Sequence, residues 1–233
     1  MTEPLDLYAR FEPLIPFQAQ INALHERYMA LIREFGARRV LDIGCGSGAL
    51  LGKLQAIGCE AKGIDLSAEM VRRAQKAGQN AECIDLCDQG EIYDLATAVF
   101  DVVNYLSDAA LARFFECAAK ALRPGGHFLF DVNTLYGFEE VAQGALVLEE
   151  QGVHATVESV FDSGKLTSDF RLFEADENGC YRRLAGTIEQ FFHPNRQLEK
   201  QLKAAGFKVL GKFDLYLYDA RKPDKQLFAA QRV

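Results

Sequence analysis

The stretch Val40-Leu41-Asp42-Ile43-Gly44-Cys45-Gly46-Ser47-Gly48 constrains the fold of this chain more than any other. A short apolar strand ends in a carboxylate, and a glycine-rich turn then opens a helix. Glycine at these positions allows dihedrals closed to other residues and lets a ligand approach the backbone. A second acid follows at a telling distance, where Asp65 closes the next apolar strand, Ala61-Lys62-Gly63-Ile64. Strand, glycine turn, helix, strand, acid is the layout of a nucleotide-binding βαβ unit, in which the acid holds ribose hydroxyls.

The pattern continues in both directions. Residues 1–15 read as irregular, with Pro4, Pro13 and Pro16 as breakers. Ile21, Leu24, Tyr28, Leu31, Ile32 and Phe35 form a helical stripe that Gly36 stops. Strands are predicted at about 38–43, 60–64, 80–84, 94–99 and 126–132, and helices at about 47–57, 67–77 and 108–122, with Ser67 and Asp108 as N-caps. Arg123-Pro124-Gly125-Gly126 reads as a helix stop and turn. Apolar strands alternating with helices indicate a parallel sheet covered on both faces.

From 145 to 192 the period changes to two, as in Val153, Ala155, Val157, Ser159 and Phe161. Turn signals at Gln151-Gly152, Asp162-Ser163-Gly164 and Asn178-Gly179 divide this stretch into about four antiparallel strands. A helix after Pro194, with Leu198, Leu202 and Ala205 inward, and strands near 207–213 and 226–232 complete the chain.

The formal charge of −7 argues against a broad nucleic-acid footprint, which needs clustered Lys and Arg. No apolar run has the length of a membrane span. The start, Met1-Thr2-Glu3-Pro4, has no basic segment followed by an apolar core, so no leader and a cytoplasmic location are expected. The six cysteines include no CxxC pair. Cys83 and Cys87 lack the partners of a four-ligand metal set, so no metal is expected and the thiols read as reduced.

Two cofactors compete for the glycine turn. Gly44-x-Gly46-x-x-Ala49 can be fitted to a dinucleotide fingerprint, which makes a nicotinamide-dependent dehydrogenase an alternative reading. Asp42 argues against it, because a pyrophosphate on the turn would meet a carboxylate. A carboxylate there suits a ligand with an ammonium group and no phosphate. S-adenosylmethionine is such a ligand.

The chain resembles a class I S-adenosylmethionine-dependent methyltransferase over about residues 36–135, and more weakly over 197–233. Leu41–Gly48 is similar to the family's first motif, Gly63-Ile64-Asp65-Leu66-Ser67 to its second, and Cys83-Ile84-Asp85-Leu86 to its third. Tyr93 to Phe100 resembles the fourth strand, and Leu122–Gly126 the turn before the fifth. The resemblance implies that Asp42, Gly44, Gly46, Asp65, Leu66, Asp85, Leu86 and Phe100 bind the cofactor, with S-adenosylhomocysteine as product. It implies a doubly wound α/β fold, Rossmann-like, with a seven-stranded, mostly parallel sheet in the order 3-2-1-4-5-7-6 and the last strand reversed. The expected division is a capping segment and helix at 1–36, the cofactor-binding core at 37–143 and 193–233, and an antiparallel insertion at 144–192 roofing the acceptor site.

The fourth strand carries no Asn-Pro-Pro-Tyr or Asp-Pro-Pro-Tyr motif, and Phe130-Asp131-Val132-Asn133-Thr134 is followed by the β-rich insertion. Both features resemble small-molecule methyltransferases, so a small-molecule acceptor is expected, with no nucleic acid or membrane partner and a monomer or homodimer. Asn133 and Tyr136, beyond strand five, and His193, before Pro194, are the candidate substrate residues, and Tyr8 is a candidate aromatic lid. No catalytic base is recognisable by spacing. A non-catalytic S-adenosylmethionine-binding or interaction module is the third reading.

Overall fold

The computed structural model describes residues 4–150, 152–176 and 178–233. Gln151, half of one expected turn, and Met1-Thr2-Glu3 of the leader reading lie outside them. The core strands are β1 (Arg39–Ile43), β2 (Glu60–Asp65), β3 (Ala81–Cys83), β4 (Tyr93–Ala98), β5 (Leu122–Asn133), β10 (Phe207–Leu215) and β11 (Lys225–Arg232). They form one sheet in the order β10-β11-β5-β4-β1-β2-β3. β1 runs parallel to β2 and β4, while β11 is antiparallel to both β5 and β10. This is the expected order with the last strand reversed.

Alternation along the strands explains why helices cover both faces. Leu41, Ala96, Phe128, Phe130 and Phe228 point to one side, where α5 (Asp108–Lys120) and α6 (Asn195–Ala204) bring Leu111, Phe115, Leu198 and Leu202. Their sequence neighbours Val40, Leu95, Leu129 and Leu227 point to the other. There they meet Leu24 and Tyr28 of α2 (Gln18–Glu34), Leu51 and Leu54 of α3 (Ala49–Ala56) and Val71 of α4 (Ala68–Lys76). Each such side chain, fully buried, contributes about 1.5–3 kcal/mol. Among the described residues, no helix is long and apolar enough to cross a membrane.

The insertion is a separate antiparallel sheet of β6 (Gly144–Glu150), β7 (Val153–Asp162), β8 (Lys165–Ala175) and β9 (Tyr181–Phe191), ordered as in sequence. Ser163 at φ 49° and Gly164 at φ 82° make the tight turn between β7 and β8. Its buried face, Ala155, Phe170, Leu172, Leu184 and Ile188, closes over Leu7 and Phe11.

Those last two residues belong to a helix that the sequence reading treats as irregular: α1 runs Pro4–Phe11. Pro4 suits its first turn. Eight residues do not make a stable helix alone, so docking on the inserted sheet supplies what propensity does not. Two smaller expectations also change. Ser107, not Asp108, is the N-cap of α5, while Ser67 caps α4 as expected by accepting from the Met70 amide. Arg123–Gly126 is an irregular opening of β5 rather than a turn outside it, and the β4–β5 register shifts there, between Tyr93 and Leu95.

Candidate active site

The glycine turn follows β1 and reaches across to β2. The Gly44 and Cys45 amides both donate to the Ile64 carbonyl, at 2.8 and 3.0 Å. Asp65 Oδ2 accepts from the Gly46 amide and Oδ1 from the Ser67 amide, each at 2.8 Å. Gly44 and Gly46 have φ of 70° and 52°, in the left-handed region. A Cβ on Gly44 would lie 2.7 Å from Val102 Cγ2, whereas a Cβ on Gly46 would meet nothing within 4 Å. The turn is therefore closed behind Gly44 and open above Gly46. Leu66, beside this opening, is a large apolar side chain left 62% exposed.

Asp42 lies next to the carboxyl end of β1, opposite Gly63 and Thr97 of its neighbours. It is buried and accepts a 2.7 Å bond from the Thr97 hydroxyl. Burial pushes its pKa up to about 7, against the Thr97 bond and with help from the Asp65 charge. Burial likewise raises Asp65, opposed by the Ser67 and Gly46 amides. Two acids thus stand at an open glycine cradle beside an exposed apolar platform, and among the described residues neither has a cationic side chain bonded to it. A ligand with ribose hydroxyls, an ammonium group and a flat base fits this donor set.

Asp85 caps a short 3-10 turn, Leu86–Asp88, by accepting from the Cys87 amide at 2.8 Å. The Leu86 side chain faces inward and packs in the core. Cys87 forms a disulfide with Cys117 of α5, so these two thiols are not free as expected. They lie 30 residues apart, and only packing of the turn on α5 brings them together. Titration of unreduced, denatured protein should find the four thiols of Cys45, Cys59, Cys83 and Cys180. Six would show that the bridge is absent.

Beyond β4 the backbone turns sharply. Phe100 and Asp101 have φ of 64° and 51°, rare for residues with a Cβ and costly unless the surroundings enforce them. Here Asp131 of β5 enforces them, accepting from the Phe100 amide at 2.9 Å and the Asp101 amide at 3.0 Å. Tyr28 of α2 donates to the same carboxylate at 2.7 Å. Lys225, first residue of β11, pairs with Asp101, lies 3.4 Å from Asp131 and donates to Asn133 at 2.8 Å. Burial opposes its charge, yet the two carboxylates hold its pKa above the ordinary lysine value. Gln190 of β9 donates to Asp101 at 2.5 Å, and Asn104 donates to the Phe191 carbonyl at 2.8 Å. These bonds fasten the inserted sheet to the carboxyl ends of β4 and β5, where open α/β sheets bind their ligands.

The candidate substrate residues separate. Asn133 joins this network, its amide nitrogen 3.2 Å from Asp101 Oδ2. Tyr136 instead donates to Asp219 at 2.5 Å, under the ammonium of Lys222. His193 does not reach a pocket: its side chain is wholly buried and Nε2 bonds the Leu106 carbonyl at 3.0 Å, bracing the 102–106 turn. Tyr8 packs edge-on against Phe170 beneath the inserted sheet. Asp101 is absent from the sequence candidates, although the rule that identifies Asp42 and Asp65, an acid at the end of an apolar strand, points to it as well. Lys225, Gln190 and Tyr28 carry no local signal.

The sequence profile of a methyltransferase-domain family matches residues 17–212. A protein of Geobacillus sp. (strain WCH70) bearing a provisional methyltransferase name is 28% identical over 187 residues, 75% of this chain and 76% of its own. The malonyl-[acyl-carrier protein] O-methyltransferase of Enterobacter lignolyticus is 32% identical over 61% of this chain and 59% of its own. Among solved structures, an S-adenosylmethionine-dependent methyltransferase from Clostridium acetobutylicum superposes with a TM-score of 0.81 at 21% identity, covering 97% of this chain and 98% of its own. The sugar N-methyltransferase KedS8 of Streptoalloteichus gives 0.76 at 24%, covering 100% and 94%. At these identities the two superpositions speak for the fold.

Proposed function

The chain belongs to the methyltransferase-domain family and is a class I S-adenosylmethionine-dependent methyltransferase, and from that premise we propose that it methylates a small molecule held at the carboxyl ends of β4 and β5 beneath the inserted sheet. The observation that carries this reading is the fastening of that sheet to the strand ends through Gln190–Asp101 and Asn104–Phe191. A roof there excludes water and bounds the acceptor's size. The division into a capping segment at 1–36, a core at 37–143 and 193–233, and a roof at 144–192 follows from the same reading.

The open cradle above Gly46 fits the cofactor. Asp42 would face its ammonium group, Asp65 its ribose hydroxyls, and Leu66 its adenine, with Asp85, the Leu86 backbone and Phe100 completing the site around the Gly44 and Gly46 amides. When bound, S-adenosylmethionine supplies a methyl group that is already activated. The chain's remaining tasks are orientation and exclusion of water. Asn133 faces the acceptor side, while Tyr136 secures the 216–224 loop at its edge. The four free cysteines fit a reducing cytoplasm and the Cys87–Cys117 bridge does not. We propose the cytoplasm, on the count of free thiols.

Calorimetric titration with S-adenosylmethionine and S-adenosylhomocysteine tests the cofactor site. Screening metabolite extracts for release of S-adenosylhomocysteine then tests the acceptor class. Binding without turnover on any small molecule, but with turnover on a protein or nucleic acid, would overturn the small-molecule reading. Asp65→Ala should weaken cofactor binding by about 1–3 kcal/mol, because ribose hydroxyls lose a charged partner. Unchanged affinity in a folded variant would remove Asp65 from the ribose.

A further inference from the structure

The network around Asp101 does not balance its charge. Asp101 and Asp131 face one ammonium, that of Lys225. The three differ in access: the Asp131 side chain has no exposed surface and Lys225 has 5%, but Asp101 keeps 15%. Asp101 Oδ2 is occupied by Gln190 and Asn133, while among the described residues Oδ1 meets Lys225 alone and has a lone pair to spare. The surplus negative charge is therefore least enclosed at Asp101. Val102, the next residue, has the side chain nearest the back of Gly44, so the Asp101 backbone adjoins the glycine turn.

Aromatic side chains from separate segments pack near this end of the inserted sheet. Tyr8 of α1 and Tyr105, four residues beyond Asp101, lie against the same apolar cluster beneath that sheet, and Tyr218 of the β10–β11 loop is held by its amide on Asp224, next to Lys225. Burial first, with the Asp101 charge among the smaller causes, holds all three hydroxyls above the ordinary tyrosine range. A cation beside a carboxylate and several aromatic rings is favoured by both. An anion gains from neither, and a neutral hydroxyl gains a hydrogen bond to the carboxylate but neither the ion pairing nor the cation–ring attraction.

We propose that Asp101 is a specificity-determining residue that makes the methyl-transfer position select a cation, so that the acceptor is an amine taken up as its ammonium ion, with Asp131 and Lys225 as positioning groups behind it. The inference rests on the acceptor side assigned above. Before methylation the ammonium must lose one proton, and Asp101 is placed to take it and release it to solvent. The nitrogen lone pair then forms the new N–C bond as the C–S bond breaks, and the bonding pair stays with sulfur.

Two cofactor analogues test this without an acceptor. Sinefungin carries an ammonium group in place of the S-methyl group, and S-adenosylhomocysteine leaves that position neutral. By calorimetry at pH 7.5, the wild-type protein should bind sinefungin about tenfold or more tightly than S-adenosylhomocysteine, the value of one charged hydrogen bond. Asp101→Asn should bring the two affinities within about twofold while moving S-adenosylhomocysteine itself by less than about threefold. Asp101→Glu should restore part of the preference, and Glu189→Gln, an equal loss of charge on the exposed β9 surface, should leave it intact. Equal wild-type affinities, or a preference that Asp101→Asn does not move, would overturn the proposal. The wild-type ratio decides by itself if Asp101→Asn does not fold. If neither analogue binds, the cofactor reading falls and takes the proposal with it.

Discussion

Lys225→Met should destabilise the protein by about 3–5 kcal/mol near neutral pH, because it leaves buried carboxylates without their cation. The side chain is nearly enclosed, and its ammonium meets Asp101, Asp131 and Asn133. Methionine fills a similar volume, so the loss reports charge rather than packing. The pH dependence carries the sign. Asp131 already has a raised pKa, from burial first, with Lys225 opposing. Without Lys225 it rises further, so the variant takes up a proton on folding and its deficit shrinks as pH falls. Asp101→Asn in the same chain should recover part of the loss by removing one of the two carboxylates. Denaturant unfolding of the single and double variants at pH 5.5 and 8 measures all of this. A deficit that is independent of pH, or a double variant no more stable than Lys225→Met, would mean that the network is not electrostatically coupled.

Asp42→Asn should act in opposite directions on stability and on binding. Burial raises the Asp42 pKa to about 7 from the ordinary carboxylate range. A group whose folded pKa is raised favours the folded state only when protonated. The ligand-free protein therefore loses stability as pH climbs from about 4 to 7, by as much as about 4 kcal/mol at roughly 1.4 kcal/mol per unit. Asparagine carries no such cost, so the ligand-free variant should unfold at higher temperature than wild type at pH 8 and show little advantage at pH 4. Cofactor binding should instead weaken by about 1.5–3 kcal/mol, the value of a charged hydrogen bond. Wild-type affinity should fall by about tenfold per unit as pH drops below 7, because the ammonium group needs the ionised carboxylate, and the variant should lack that slope. A variant that loses affinity but gains no ligand-free stability would show that Asp42 is not buried as a charge.

Both effects bear on how a single mixed sheet supports the chemistry. Asp42 sits next to the carboxyl end of β1, buried with no cation bonded to it among the described residues, and the proposed cofactor would bring an ammonium group to it. Lys225 sits three strands away at the same edge, facing two carboxylates and leaving one negative charge over. The inserted sheet is fastened to this edge through Gln190 and packs on α1.

Local pattern determined a large part of this protein. Strand–helix alternation, the left-handed glycine turn with Asp65 bonded to it, and the four inserted strands follow from periodicity and from backbone conformations that few residues permit. Each is a property of neighbours in the chain. Tertiary structure decided the rest, because the forces concerned act between residues far apart in sequence. The α1 helix has too few residues to be stable without the inserted sheet, so its sequence reads as irregular. Leu86 and His193 look available at strand and helix ends, but the burial of their side chains depends on what packs over them. Cys87 and Cys117 meet only when a 3-10 turn docks on α5. Lys225 reads as an ordinary lysine opening an apolar strand. It becomes the counter-ion of the site because antiparallel pairing sets it opposite Asn133, next to carboxylates that stand 94 and 124 residues earlier in the chain.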